Sequence, residues 1–292
     1  MPVRHIAAAL LVVLIWGVNF VVIKVGLREV PPILLAALRF LLAALPAVFF
    51  IARPQVPFAR IATYGLVMFS LQFALLFGGM FLGMPAGLAS LALQVHVFIT
   101  IALAMAVAGE RPSAPQLGGA LLAFLGIVVI ASRSGGEATA LGITLVLLAA
   151  AAWAVGNLLS KRIGAVDPLA LVVWGSLVAF GPLLLLSLAL EGPARVLSSL
   201  SQLSLAGLGS IAYLVYPTTL LGFGIWSWLL KRHPAATVAP FTLLVPVVGF
   251  TSATLLLGEP LQAWKVLAAL LVLAGLAVNL FGARLLSAVR GA

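Results

Sequence analysis

The chain has 292 residues, and only 8% of them are charged against 64% hydrophobic. Soluble domains carry roughly a quarter charged residues, so a soluble globular fold, a disordered chain and an ordinary cytosolic enzyme are excluded. The 16 Lys and Arg outnumber the 6 Asp and Glu, but they stand in short gaps between apolar runs, where they orient membrane helices rather than bind nucleic acid; the absence of cysteine excludes disulfides, thiolate metal sites and cysteine nucleophiles.

A hydrocarbon core about 30 Å thick needs about 20 apolar residues per helix. Ten apolar segments fill the chain and leave no room for a soluble domain. The first, 6–26, is too long and lacks the cleavage site of a signal peptide, so it reads as a retained span. It carries Trp16 and Asn19, about 60° apart on a helix and therefore on one face. After Pro31-Pro32, the second span (33–52) holds Arg39 about two turns inside, where it could bind a substrate carboxylate, snorkel outward or brace backbone carbonyls. The RPQVP break at 53–57 leads to the third span, 61–82, with Gln72.

The fourth span, 85–108, contains Gln94 and His96. They lie about 160° apart on a regular helix, too far for both to face one narrow cavity. His96 is assigned to the pathway and Gln94 to a bond with a neighbouring helix. ERPSAP (110–115) precedes the fifth span, 115–132, and SRSGGE (132–137) the sixth, 141–160. In the sixth, Trp153 and Asn157 share a face, about 40° apart. The seventh span, 169–190, contains Pro182 and ends at EGP (191–193).

The eighth span, 203–230, is long, and a tilted or kinked single helix accommodates it. It holds Tyr213 and Tyr216, and Pro217 removes the hydrogen bond that would end on the Tyr213 carbonyl. With Gly222 and Gly224 following, YLVYPTTLLGFG reads as a kink or hinge; Pro246 does the same for the ninth span, 235–257, which follows KRHP (231–234). The tenth span is 261–283. Gly118, Gly119, Ala123 and Gly126 in the fifth span, and Ala268, Ala269 and Gly275 in the tenth, mark close packing, within the chain or across a weak dimer.

Ten basic residues fall in the gaps on the side of the N-terminus and five on the other, which places both termini in the cytoplasm. The chain also repeats itself. At an offset of 137, Trp16 falls on Trp153 and Lys24 on Lys161; at 149, Pro85-Ala86 falls on Pro234-Ala235 and Gly109-Glu110 on Gly258-Glu259. Two halves of five spans, 1–137 and 138–292, must cross the membrane with opposite polarity. Inverted repeats around a midplane site are a recurrent transporter design, in which one half rocks against the other.

LIWGVNFVVIKVGLREVPPILLAALRFLLAALP and PAGLASLALQVHVFITIALAMAVAGERPSAPQLGGALLAFLGIVVI, with the later PAATVAPFTLLVPVVGFTSATLLLGEPLQAWKVLAALLVLAGLAVNL, resemble the ten-helix drug/metabolite transporter superfamily. Within it they are similar to the EamA-like branch of amino-acid and metabolite exporters, and to aromatic amino acid exporters among its members. The resemblance implies an inner-membrane exporter of small metabolites. It also implies a structural role for Arg39, because that Arg belongs to the family's general pattern across substrates. The first half departs from the second in having Val97 where the second has Pro246.

Polar side chains in mid-span face a bundle interior or a wet cavity. Trp16, Asn19, Gln72, Gln94, His96, Trp153, Asn157, Tyr213 and Tyr216 are therefore the candidate substrate-binding residues, on spans 1, 3, 4, 6 and 8, with span 9 completing the cavity and spans 5 and 10 peripheral. Pro217, Gly222 and Pro246 are the candidate hinges. Trp174, Trp226, Trp228 and Trp264 sit near span ends and read as interfacial belt residues; Lys24 and Lys161 read as membrane-edge anchors. Glu110 and Glu259 read as caps on the last helix of each half.

None of the six acids lies in mid-span, whereas membrane-embedded carboxylates are the usual proton relays of antiporters. Coupling through His96 or an uncoupled facilitator remains. An aromatic, amide-rich cavity suits neutral or zwitterionic solutes with an apolar side chain; cationic drugs could use the same rings through cation–π contacts, which makes a proton-coupled multidrug antiporter the alternative. No G-x-S-x-G, H-E-x-x-H, phosphate loop or metal-ligand cluster is present, so neither enzymatic activity nor a cofactor or metal is expected. The sequence thus reads as an all-α inner-membrane transporter, a monomer or weak homodimer, whose partners are a small-molecule substrate and the bilayer.

Overall fold

A computed structural model describes residues 1–108, 114–133, 136–233, 238, 241–242 and 244–290, and every regular element among them is helical. In chain order these are α1 (Val3–Gly26), α2 (Pro32–Ala44), α3 (Phe58–Phe81), α4 (Ala86–Ala92), α5 (His96–Ala108), α6 (Ala114–Arg133), α7 (Ala140–Ile163), α8 (Pro168–Leu190), α9 (Pro193–Ser201), α10 (Leu205–Leu229, continuing to Arg232), α11 (Leu244–Leu257) and α12 (Ala263–Arg290). Among the described residues, six stretches are long and apolar enough to cross a membrane: α1, α2 with the short turn after it, α3, α7, α8 and α10. Four shorter apolar helices accompany them. Glu110, with the Pro234-Ala235 half of the repeat, lies outside the described residues.

Local chemistry sets the helix starts. Pro32 and Pro168 occupy first-turn positions where a missing N–H costs nothing. Thr139, Asp167 and Ser204 are N-caps whose side-chain oxygens accept from first-turn N–H groups. The EGP segment does more than break the seventh span. Gly192 and Pro193 start α9, a short helix that the sequence reading left within a gap.

Several helices are irregular in mid-course. In α3, residues Leu66–Leu71 form a π turn, and in α10 so do Leu214–Leu221, around Pro217. There Thr219 Oγ1 donates to the Leu214 carbonyl at 2.8 Å, supplying an acceptor's partner in a stretch where proline donates none. Between α4 and α5, Leu93–Val95 is a 3-10 turn, and residues 241–242 are wound the same way shortly before α11. Pro246 stands in the first turn of α11, so it starts that helix instead of kinking its middle.

In lipid, helices gain little from hydrophobic burial against one another, and close backbone approach by small residues drives their packing. The pair α6 and α12 follows this rule within the chain. A Cβ on Gly119 would lie 2.5 Å from the Gly275 carbonyl oxygen, and one on Gly275 2.5 Å from that of Gly119. Elsewhere α2 packs on α8, α1 on α11 and α10, and α7 on α3 and α5.

One end of the bundle is laced by polar bonds from chain-distant loops. Glu191 accepts from the Ile33 and Leu34 N–H groups at 2.7 and 3.0 Å, capping α2. Glu259 accepts from Ala86 and Gly87 at 2.7 and 3.1 Å. It is therefore a cap, but of α4, not of the helix that follows it in sequence. Glu29 accepts from the Ser204 hydroxyl and N–H at 2.7 and 3.0 Å, and these bonds hold its carboxyl below the usual carboxylate range. Thr139 bonds the Leu82 carbonyl, and Lys265 pairs with Glu137 at 2.5 Å. Lys24 donates to the Met80 carbonyl at 2.9 Å, so it ties α1 to α3 where a free membrane-edge anchor was expected; Lys161 is exposed.

Candidate functional site

A cavity of about 410 Å³ lies between α1, α2, α3, α7, α8, α10, the start of α11 and the α4–α5 break. It reaches Ser160 and Pro168, beside the loop joining α7 to α8, and so extends toward the end opposite the laced loops. Its volume is that of a small-molecule site.

Seven of the nine sequence-derived candidates meet in its wall: Trp16, Asn19, Gln72, Gln94, His96, Trp153 and Asn157. The Trp16 indole N–H donates to the Thr218 carbonyl at 3.2 Å, and its ring packs against Phe223 and Trp226 with centroids 5.4 and 5.3 Å away. Gly222 makes this possible. A Cβ there would stand 2.6 Å from Trp16 Nε1, so its role is to seat the indole beside the π turn. Across the cavity the His96 ring stacks on Trp153, centroids 4.3 Å apart and planes 13° from parallel. His96 Nδ1–H donates to the Leu93 carbonyl at 2.9 Å, which leaves Nε2 as the acceptor of the neutral ring. Asn157 Nδ2 donates to Thr100 Oγ1 at 3.3 Å.

Both Gln94 and His96 belong to the wall, contrary to the separation expected of a regular helix. The cause is the 3-10 turn Leu93–Val95. Three residues per turn bring positions two apart to about 120°, not about 160°. Gln94 Nε2 also donates to the Thr242 carbonyl at 3.4 Å, so it touches a neighbouring segment as well.

Tyr213 and Tyr216 stand outside the wall. The Tyr213 hydroxyl donates to the Ile15 carbonyl at 3.0 Å, joining α10 to α1, and Tyr216 is 55% exposed. The i→i+5 winding of the π turn turns the following residues away from their α-helical directions, and Thr218, Phe223, Trp226 and Ser227 are the α10 residues that line the cavity.

Among the further wall residues, Trp226 and Arg39 are two that the sequence reading favoured for other roles. Trp226 was assigned to the interfacial belt, but α10 runs on past it to Arg232 and the ring packs on Trp16. Its spacing of three from Phe223, which puts both rings on one helix face, was the available signal. Arg39 is the second. It is 2% exposed, so it does not snorkel, and its Nε donates to Thr219 Oγ1 at 3.0 Å, a side chain rather than a backbone carbonyl. The guanidinium carbon lies 4.4 Å from the Phe73 ring centroid. No described carboxylate lines the cavity. Of the other span-end tryptophans, Trp174 bonds the Ile51 carbonyl at 3.0 Å, Trp228 packs on His5, and Trp264 bonds Gln262.

Comparison with known proteins adds the following. Residues 4–132 and 140–281 match the EamA-like transporter family. A relative in Salmonella typhimurium named "Probable amino-acid metabolite efflux pump" is 49% identical over 94% of each chain. One of the same name in Escherichia coli is 46% identical over 97% of this chain and 96% of its own. A protein crystal structure, 19% identical, superposes on 98% of this chain and 99% of that one with a TM-score of 0.66, a likeness of fold.

Proposed function

This chain belongs to the EamA-like transporter family, and from that premise we propose that it exports amino acids, aromatic and neutral ones foremost, and similar small metabolites. It is a multi-pass membrane transporter and not an enzyme. The proposed mechanism is alternating access between two inverted five-helix repeats, 1–137 and 138–292, in a bacterial inner membrane with both termini cytoplasmic. The observation that carries the reading is the cavity. It gathers Trp16, Trp153, His96, Phe223 and Trp226 with the amides of Asn19, Gln72, Gln94 and Asn157. Rings grip an apolar or aromatic side chain, and amides satisfy the polar end.

Recurring irregularities support the two repeats. The π turns begin at Leu66 and Leu214, and 3-10 winding is present at Leu93 and at Phe241. Each pair is separated by the same 148 residues. The packing recurs too: α1 with α11 and α10 corresponds to α7 with α5 and α3, while α2·α8 and α6·α12 map onto themselves. Discontinuous helices at a central site are what such transporters use to coordinate substrate.

Purified protein in proteoliposomes, tested with a panel of amino acids, a sugar and a cationic dye, is expected to carry amino acids. Transport of the dye alone would overturn this reading in favour of a multidrug pump. Replacing Trp16, His96 or Trp153 by alanine removes a stacking surface worth about 0.5–1.5 kcal/mol beyond its buried area. Each variant should lower flux several-fold while its amount in the membrane holds; unchanged flux in all three would withdraw the site. An uncoupled facilitator should show no response to a pH gradient. A response that is lost in His96→Ala would assign coupling to His96.

A further inference from the structure

Buried polar atoms are nearly always hydrogen-bonded, and those that are not call for an explanation. Among the described residues, side-chain atoms of Asn19, Arg39, Gln72 and Thr218 are buried without a partner, and all four residues line the central cavity. The set includes two donors, Arg39 Nη1 and Gln72 Nε2, and one amide acceptor, Asn19 Oδ1.

The charge balance is also incomplete. The described carboxylates are committed elsewhere: Glu29 to Ser204, Glu137 to Lys265, Glu191 to α2, Glu259 to α4, and Asp167 to its own helix. Arg39 is fully enclosed, pinned at Nε by Thr219 and faced by Phe73, yet no described anion meets it. A buried cation of this kind is costly unless an anion joins it.

We propose that Arg39, with Gln72 as a second donor, is the docking point for a carboxylate of the transported solute. A guanidinium held at Nε still presents its remaining N–H groups in a fixed fork, the geometry that matches a carboxylate. Arg39 and Gln72 both line this one cavity, and Phe73, the residue after Gln72, lies with its ring against that guanidinium. Asn19 Oδ1 and the Thr218 hydroxyl supply uncharged acceptors suited to an ammonium group. The two donor atoms are enclosed in the wall, so the side chains around them must shift to present them to the carboxylate. The structural role that the family pattern implied for Arg39 becomes a recognition role. The inference deepens the amino-acid export reading and rests on it for the choice of solute.

The test measures binding to the purified protein by quenching of tryptophan emission, with L-phenylalanine, L-phenylalanine amide and 3-phenylpropanoate as probes. The wild type should bind phenylalanine at least severalfold more tightly than the amide. Arg39→Gln should weaken phenylalanine and 3-phenylpropanoate by about ten- to a hundredfold, the range for hydrogen bonds to a charged group, and change the amide little. Gln72→Met should weaken the same two probes by less. Phenylalanine affinity unchanged in Arg39→Gln, or phenylalanine and the amide weakened together, would overturn the inference, the second result marking a structural role. If Arg39→Gln does not fold, Gln72→Met and the wild-type preference decide, and a wild type without preference for the carboxylates overturns it. Equal wild-type binding of phenylalanine and its amide sinks this inference and keeps amino-acid export. Binding of 3-phenylpropanoate without phenylalanine does the reverse, and binding of none of the three sinks both.

Discussion

Replacing Glu259 by alanine should open the laced end of the protein. The carboxylate accepts from two N–H groups at the start of α4, so its removal strands both. Loss of a helix cap costs about 1 kcal/mol, and loss of bonds to a charged acceptor more. Taking about 2 kcal/mol for the pair, the balance between closed and open forms of that end shifts about thirtyfold. The natural sequence contains no cysteine, so a single reporter is unambiguous. Met84 is fully buried beside the cap. Met84→Cys should react with a maleimide tenfold or more faster in the Glu259→Ala background, and Glu259→Gln, which keeps an acceptor but not the charge, should fall between. Equal labelling rates in all three would show that the cap does not seal this end. The same loss at Glu191 should act additively, because the two carboxylates cap different helices and share no partner.

The other large effect belongs to stability. Gly275→Leu sets a side chain against the Gly119 carbonyl, where even a Cβ would lie 2.5 Å away. Backbone cannot move aside as a flexible side chain can, so α6 and α12 must separate along their shared face. Overpacking of this kind costs about 1–3 kcal/mol or more. The detergent-solubilised variant should melt several degrees lower and yield less folded protein. Neither helix contributes to the cavity wall among the described residues, so flux per folded molecule should stay near the wild-type value. A variant that melts normally would contradict the close approach. One that folds but does not transport would assign the pair a moving role.

Much of this was legible in the chain. Run lengths and breakers located the apolar helices, since a bilayer dictates both. The shared faces of Trp16 with Asn19 and of Trp153 with Asn157 were readable because α1 and α7 are regular there. Where winding departs from the α-helix, angular arithmetic failed. The 3-10 turn admits Gln94 beside His96, and the π turn trades Tyr216 for Thr218. Proximity to a span end misled at Trp226, whose helix continues past it. The target of Glu259 lies more than 170 residues away, and no local pattern names a partner at that range. Arg39 was visible as a residue, but the lack of a counter-charge among the described residues was not, because only the fold shows where the described carboxylates are spent.

The lacing of one end has a kinetic meaning. Its ties join segments far apart in sequence and share no partner with one another. Release of any one leaves the rest in place, so the loops cannot peel away singly. In the proposed alternating-access cycle, an excursion that exposes the cavity on this side must let go of several charged contacts together. Such a step is rare and collective, and the turnover clock of the molecule would then be kept by its loops and not by the speed with which a solute enters or leaves the aromatic walls.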